Sequence, residues 1–122
     1  MSQLRIGGLT PRELGIMEVL WKHAAASVQD VQDGLGDRLE GSTIRTLLQI
    51  MEEKGHVTSW KEGRTNMYRS LIARDQVERS ALSSMIKRVF GGSAAALLAR
   101  MVEEEHVDVG VLDDLRSRLL KE

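Results

Sequence analysis

Cysteine is absent from the 122 residues, which rules out disulfides, thiolate zinc sites, iron–sulfur clusters and thiol catalysis on chemical grounds. Aromatic residues make up only 3% of the chain, so a hydrophobic content of 42% rests on Leu, Val, Ile, Ala and Met. No apolar run approaches the roughly eighteen residues that a membrane span needs. The opening Met1-Ser2-Gln3-Leu4-Arg5-Ile6 has no hydrophobic stretch leading to a small-residue cleavage site. A soluble, cytoplasmic protein without membrane insertion is expected. An excess of one charge sign is missing too, because the formal net charge is −1. Residues 1–73 hold 9 basic and 9 acidic side chains and residues 74–122 hold 8 and 9, so neither half is a basic domain. Nucleic-acid binding, which neutralises phosphates with Lys and Arg, would have to come from local distribution. Residues 42–69 supply a small excess, with Arg45, Lys54, Lys61, Arg64 and Arg69 against Glu52, Glu53 and Glu62.

A chain of this length buries one core, or one core with a helical arm. Thr10-Pro11-Arg12-Glu13 opens a first helix: Thr10 caps, Pro11 suits the first position and Glu13 completes a capping box. Leu14, Met17, Val19, Leu20 and Trp21 carry it to about His23. Ser27 to Asp30 is a second cap-like start, and Val28, Val31 and Leu35 give a short amphipathic helix. A turn spans Gly36 to Gly41. Ser42 is expected to cap a third helix in which Ile44, Leu47, Leu48 and Met51 form one apolar stripe and Gly55 ends the run. The opposite face centres on Ser42, Thr46, Gln49 and Glu53, with Thr43 and Arg45 at its flanks. From Val57 the pattern becomes β-type: Val57 to Lys61 and Asn66 to Arg69, joined by Glu62-Gly63-Arg64-Thr65, form a hairpin. Three helices followed by a hairpin with a charged tip is the order of a winged helix-turn-helix, with its third helix in a DNA groove and its wing on the backbone.

Helical periodicity returns after Ala73. Val77, Ala81, Met85 and Val89 lie along one row, with Leu82, Ile86 and Phe90 beside it. Gly91-Gly92 stops this helix, Ser93 starts a helix carrying Leu97, Leu98, Met101 and Val102, and Asp108 caps a last one with Leu112, Leu115, Leu119 and Leu120. Three short amphipathic helices have no large core of their own, so they are expected to bury against a second copy of themselves. The expected architecture is mostly α with a small β-hairpin, a DNA-binding domain over residues 1–72 and a helical dimerisation arm over residues 73–122.

Taken in order, these segments resemble the penicillinase-repressor family of BlaI, MecI and CopY type from Leu9 to Leu120. The likeness is carried by Leu9-Thr10 with Glu13, Met17 and Val19-Leu20-Trp21; by Thr43-Ile44-Arg45-Thr46-Leu47-Leu48; by Glu53-Lys54-Gly55 with Val57-Thr58; by Lys61-Glu62-Gly63-Arg64 with Tyr68-Arg69; by Phe90-Gly91-Gly92-Ser93; and by Glu103-Glu104-Glu105 with the Leu-rich terminal helix. No one of these is specific, but their order and spacing together are. The resemblance implies a homodimeric repressor bound to a palindromic operator, which often controls resistance or metal-homeostasis genes. It places DNA contacts at Thr43, Arg45 and Thr46 and on the wing at Lys61 and Arg64. It also implies a membrane sensor-protease as a further partner. The Asn-Phe bond cleaved in one branch has no counterpart in Leu98-Ala99-Arg100-Met101-Val102, and the cysteine cluster of the copper-responsive branch is absent. Where some relatives carry a basic residue late in the third helix, this chain has Ile50.

Hydroxyl, guanidinium and amide groups on one exposed face suit phosphates and base edges, so Ser42, Thr43, Arg45, Thr46 and Gln49 are the sharpest candidates. Arg64 is expected to meet a phosphate, while Trp60 and Tyr68 are expected to pack within the hairpin. His23, His56 and His106 share no ligand spacing, and Glu103-Glu104-Glu105-His106 fits a solvated acidic helix end better than a metal site. With no nucleophile motif and no phosphate-binding glycine loop, neither an enzyme nor a cofactor is expected. The competing reading is a winged-helix module for protein–protein association, which a near-neutral charge tolerates.

Overall fold

The computed structural model describes residues 5–36 and 38–121. Along the chain run α1 (Pro11–Lys22), β1 (Ala26–Ser27), α2 (Val28–Gly34), α3 (Gly41–Glu53), β2 (Val57–Glu62), β3 (Thr65–Ser70), α4 (Arg74–Arg88), α5 (Ala94–Glu103) and α6 (Val109–Leu120). The described chain forms two compact units that part inside α4, between Ala81 and Leu82. The boundary expected at residue 73 falls instead at the start of that helix.

Local chemistry sets the starts of the first two helices. The Thr10 hydroxyl accepts the Glu13 N–H at 3.2 Å while the Glu13 carboxylate accepts the Thr10 N–H at 2.9 Å. Ser27 and Asp30 repeat this reciprocal box at α2, with distances of 3.1 and 2.9 Å. Both boxes satisfy amides that the first helical turn leaves without partners. α3 differs from expectation. It begins at Gly41 behind Glu40, which makes no side-chain cap, and Ser42 lies inside the first turn. Side-chain bonds to backbone carbonyls order the segment before it: Gln32 donates from Nε2 to the Leu39 carbonyl at 3.2 Å, and Arg38 donates from Nε to the Leu35 carbonyl at 2.6 Å. The turn expected over Gly36 to Gly41 includes Asp37, which lies outside the described residues.

The sheet has three antiparallel strands in the order β1-β3-β2, with Ala26 opposite Tyr68 and Trp60 opposite Met67. β2 extends one residue beyond expectation, to Glu62, and β3 one residue at each end, to Thr65 and Ser70, which leaves a two-residue loop of Gly63 and Arg64. Gly63 takes φ 63, the left-handed conformation that a tight hairpin requires at its first central position. The core of the first unit joins Ile16, Met17 and Leu20 of α1, Val31 of α2, Ile44, Leu48 and Met51 of α3, and Val57 and Tyr68 of the hairpin. Trp21 extends this packing, donating from Nε1 to the Ile72 carbonyl at 2.9 Å beneath the Arg74 guanidinium, 4.8 Å from the ring centroid.

Val77 also belongs to this core. It was expected on the dimerisation row with Ala81, Met85 and Val89, yet it is only 5% exposed and is enclosed by the first unit. Gly7 lies against it: with φ 61, a Cβ at Gly7 would stand 2.6 Å from the Val77 carbonyl oxygen and 2.7 Å from its Cγ1. The spacing of apolar residues along one helix does not reveal where one packing environment gives way to the next.

The second unit is built differently. Ser93 caps α5 through the Ala96 N–H at 3.0 Å, and Asp108 caps α6 through the Val111 N–H at 2.8 Å. Among the described residues neither α5 nor α6 contains a buried side chain. Leu82, Met85, Val89, Leu98 and Leu115 are exposed, and Leu119 and Leu120 reach 72% and 74% exposure. Ala81, Ile86, Leu97, Met101 and Leu112 are half-buried. No helix among the described residues is long and apolar enough to cross a membrane.

The close approach at Gly7 gives a test of the packing. Gly7→Ala is expected to destabilise the protein by roughly 1–3 kcal/mol through combined strain and overlap. Gly8→Ala, at φ 87 but with open space around its Cβ, should cost about 1 kcal/mol from backbone strain alone. Urea denaturation of the two variants checks the difference; equal losses would show that Val77 is not seated against Gly7.

Candidate nucleic-acid interface

α3 turns its Ile44, Leu48 and Met51 side inward, where all three are fully buried. At about 100° per residue this rotation presents Ser42, Arg45, Thr46 and Gln49 to solvent, while Thr43 is half-buried at the edge. The five residues singled out from the sequence therefore share one surface. Thr46 is partly committed, because its hydroxyl donates to the Ser42 carbonyl at 3.1 Å. Its remaining outward capacity is to accept a hydrogen bond and to offer its methyl group.

The wing brings a second set of groups to this surface. Arg64 at the loop and Arg45 on α3 line one shallow cleft together with Ser27, Gln29, Thr65 and Asn66. Among the described residues that line it, the two guanidinium groups are the charged ones. Lys61 is exposed on β2 opposite Asn66, but it is not among the residues that line this cleft. Ser27, Gln29, Thr65 and Asn66 were not singled out from the sequence. Their proximity depends on β1 pairing with β3, and a two-residue strand is too short to leave an alternating pattern.

Two polar ties hold α3 in place. The Glu52 carboxylate accepts from the Ser59 amide at 3.0 Å and from its hydroxyl at 3.0 and 2.8 Å, which joins α3 to the base of the wing. At the end of α3, Lys54 Nζ donates to Glu13 Oε2 at 3.1 Å. Glu13 is only 2% exposed. Burial works to raise its pKa, but the Thr10 amide, the Lys54 ammonium and the Thr10 hydroxyl prevail and hold it below the ordinary glutamate value. The sequence revealed this residue as half of a capping box; its partner 41 positions away left no local signal. Tyr68 shifts the other way: burial pushes its phenol up and the Glu52 carboxylate adds to this, against the Arg45 charge. The Ser27 amide and hydroxyl hold Asp30 below its usual range.

Among the described residues no group of His, Cys, Asp and Glu is arranged to hold a metal ion. The acidic turn after α5 does contain Glu105 with φ 62, an uncommon conformation for a residue other than glycine.

Comparison with known proteins places these features in context. The penicillinase repressor family model matches residues 9–121. The methicillin resistance regulatory protein MecI of Staphylococcus aureus strain N315 is 24% identical over 115 residues, spanning 93% of this chain and 94% of that protein. The penicillinase repressor of Bacillus licheniformis is 25% identical over 113 residues, spanning 91% and 88%. The solution structure of the DNA binding domain of the repressor BlaI superposes with a TM-score of 0.51 and 30% identity, covering 59% of this chain and 90% of that one. The fold of the first unit is a winged helix.

The buried carboxylate links this surface to pH. A lowered folded-state pKa means that the contribution of Glu13 is complete above the ordinary value of 4.5 and is lost as pH falls below it. Glu13→Gln should cost about 1–3 kcal/mol at pH 7, and the difference from wild type should shrink as the pH is lowered through that window. Urea denaturation over a pH series measures this; a pH-independent difference would contradict the role of the charge.

Proposed function

The chain belongs to the penicillinase repressor family, and from that premise we propose that it is a homodimeric, sequence-specific DNA-binding repressor of a palindromic operator. The observation that carries the proposal is the shared surface of α3 and the wing, where Arg45 and Arg64 meet in one cleft beside the exposed Ser42, Thr46 and Gln49. An α-helix with short polar side chains and an arginine on its outer face suits the major groove, where base edges present distinct donor and acceptor patterns. Thr43, Arg45, Thr46 and Gln49 face those edges, while Ser42, Lys61 and Arg64 meet the backbone. Repression follows from occlusion of polymerase. The protein acts in the cytoplasm, where its operator lies, needs no cofactor and performs no catalysis.

The division of labour follows from how the two units are built. The first has a closed core and the second has exposed leucines on every helix. We assign Ala81 and the second unit, with Leu82, Met85, Ile86 and Val89 of α4, Leu97, Leu98 and Met101 of α5, and Leu112, Leu115 and Leu119 of α6, to contact with a second copy, which removes these side chains from water. Val77 is excluded from this set by its place in the first core. Two-fold symmetry then sets paired recognition helices about 34–36 Å apart, or a multiple of that spacing, and makes the operator palindromic. A membrane sensor-protease of the family type is the upstream partner, acting without an Asn-Phe bond at residues 98–102.

A band shift of the protein on the DNA upstream of its own gene, repeated over a salt series, tests the proposal. Arg64→Ala should weaken binding about equally on all sequences and reduce the salt slope by about 1.8 per dimer, whereas Arg45→Ala should cost about 1–3 kcal/mol of discrimination between operator and unrelated DNA. Absence of any sequence-selective shift would favour the protein-association reading, to which the net charge of −1 gives its support. For the second unit, Leu115→Lys combined with Leu119→Lys should yield monomers in sedimentation. It should lower operator affinity on the order of 100-fold, with far-UV circular dichroism losing the contribution of α5 and α6 while that of the first unit is retained.

A further inference from the structure

The outer side of α3 has two flanks. At about 100° per residue, Arg45 and Glu52 lie on the wing side of α3, while Thr43, Leu47, Ile50 and Lys54 lie on the opposite side. Along that opposite side runs a shallow concavity of about 540 Å³, between this flank and the first turn of α1; Arg5, Arg12, Lys54, Leu47 and Ile50 line it. Three cations are gathered there from sequence positions far apart, against the single carboxylate of Glu13.

The charge balance at this flank is uneven. Lys54 and Glu13 neutralise each other at 3.1 Å. Ile50, 38% exposed, brings no charge. Arg5 and Arg12 are exposed, and among the described residues neither forms an ion pair; Arg5 donates only to the Gly8 carbonyl, at 3.4 Å. Arg12 also sits in the first turn of α1, where the helix dipole favours carboxylates and disfavours cations. Local helix stability therefore gives no reason for an arginine at this position, whereas an external anion does.

An α-helix is about 10–12 Å across and the major groove is about 12 Å wide, so a helix seated in the groove has a phosphate backbone beside each flank. Arg64 faces the backbone on the wing side, while Arg45 beside it reaches the base edges. On the other side α3 offers no free cation, because Lys54 is paired and Ile50 is apolar. We propose that Arg5 and Arg12 form a second phosphate seat there, so that the duplex is straddled by cations from the wing on one strand and from the start of α1 on the other. This rests on the DNA-binding function proposed above and adds a surface to it. It also explains how a chain with a net charge of −1 binds a polyanion: its cations are concentrated at the two edges of one helix.

The salt dependence of binding to the protein's own upstream DNA tests this, with Arg12→Ala, Arg5→Ala/Arg12→Ala, Arg64→Ala and Ile50→Arg in the Arg12→Ala background. Each lost phosphate contact lowers the slope of log K against log salt by about 0.9, so Arg12→Ala should lower it by about 1.8 per dimer and the double variant by more. The loss should add to that of Arg64→Ala, and Ile50→Arg should restore the slope by returning a cation to the same flank. Thermal midpoints equal to wild type would show that folding is intact. If Arg64→Ala flattens the slope while Arg12→Ala leaves it unchanged, the second seat is disproved and the DNA-binding function stands. If the wild-type protein binds no duplex, both fall together.

Discussion

The burial of one side of α3 is the constraint on which the rest depends. Ile44, Leu48 and Met51 are sealed against α1 and the hairpin, and truncating side chains of this kind to alanine ordinarily costs 2–5 kcal/mol. That packing fixes the rotation of the helix about its own axis. Because side chains on a helix are spaced by angle, fixing the inner stripe also fixes the outer one, and Ser42, Arg45, Thr46 and Gln49 acquire a common direction without making strong contacts of their own. The polar ties refine what the core determines. Glu52 with Ser59 sets the wing beside one flank, and Glu13 with Lys54 secures the end of the helix on the other.

The second unit follows a different physical logic. Its helices begin with good caps at Ser93 and Asp108, so local chemistry specifies where they start. Capping does not supply stability enough for short helices, which in water depend on the burial of an apolar face. In this unit those faces remain largely open. The proposed second copy supplies the missing burial, and dimerisation and folding of this part of the chain then become one equilibrium. A duplicated subunit also presents the α3 surface twice, which compensates for the small number of cations that each copy brings to DNA.

Much of this was legible in the sequence wherever the governing interaction is local. Two capping boxes, the apolar stripe of α3, the glycine in the wing loop and the caps of the last two helices all reside within a few neighbouring residues. The candidate face of α3 was legible for the same reason, since helical periodicity alone separates Ile44, Leu48 and Met51 from Arg45, Thr46 and Gln49. What escaped depends on distant partners. β1 is two residues long and exists because β3 pairs with it. α3 starts at Gly41 without the side-chain cap expected from Ser42. Val77 keeps the period of the residues that follow it but belongs to the core of the first unit. The clustering of Arg5 and Arg12 beside Lys54, and of Gln29 and Asn66 beside Arg64, arises only when the chain has folded.

The central claim is that the outer side of α3 and the wing loop together form the face that meets DNA. It is tested most directly by titrating the 15N-labelled protein with a duplex that the protein itself enriches from a random pool, and following backbone amide shifts. The account predicts the largest changes at Thr43, Arg45, Thr46, Gln49 and Arg64, with α5 and α6 nearly unaffected. Failure to enrich any sequence, or changes confined to α5 and α6 with α3 silent, would contradict it.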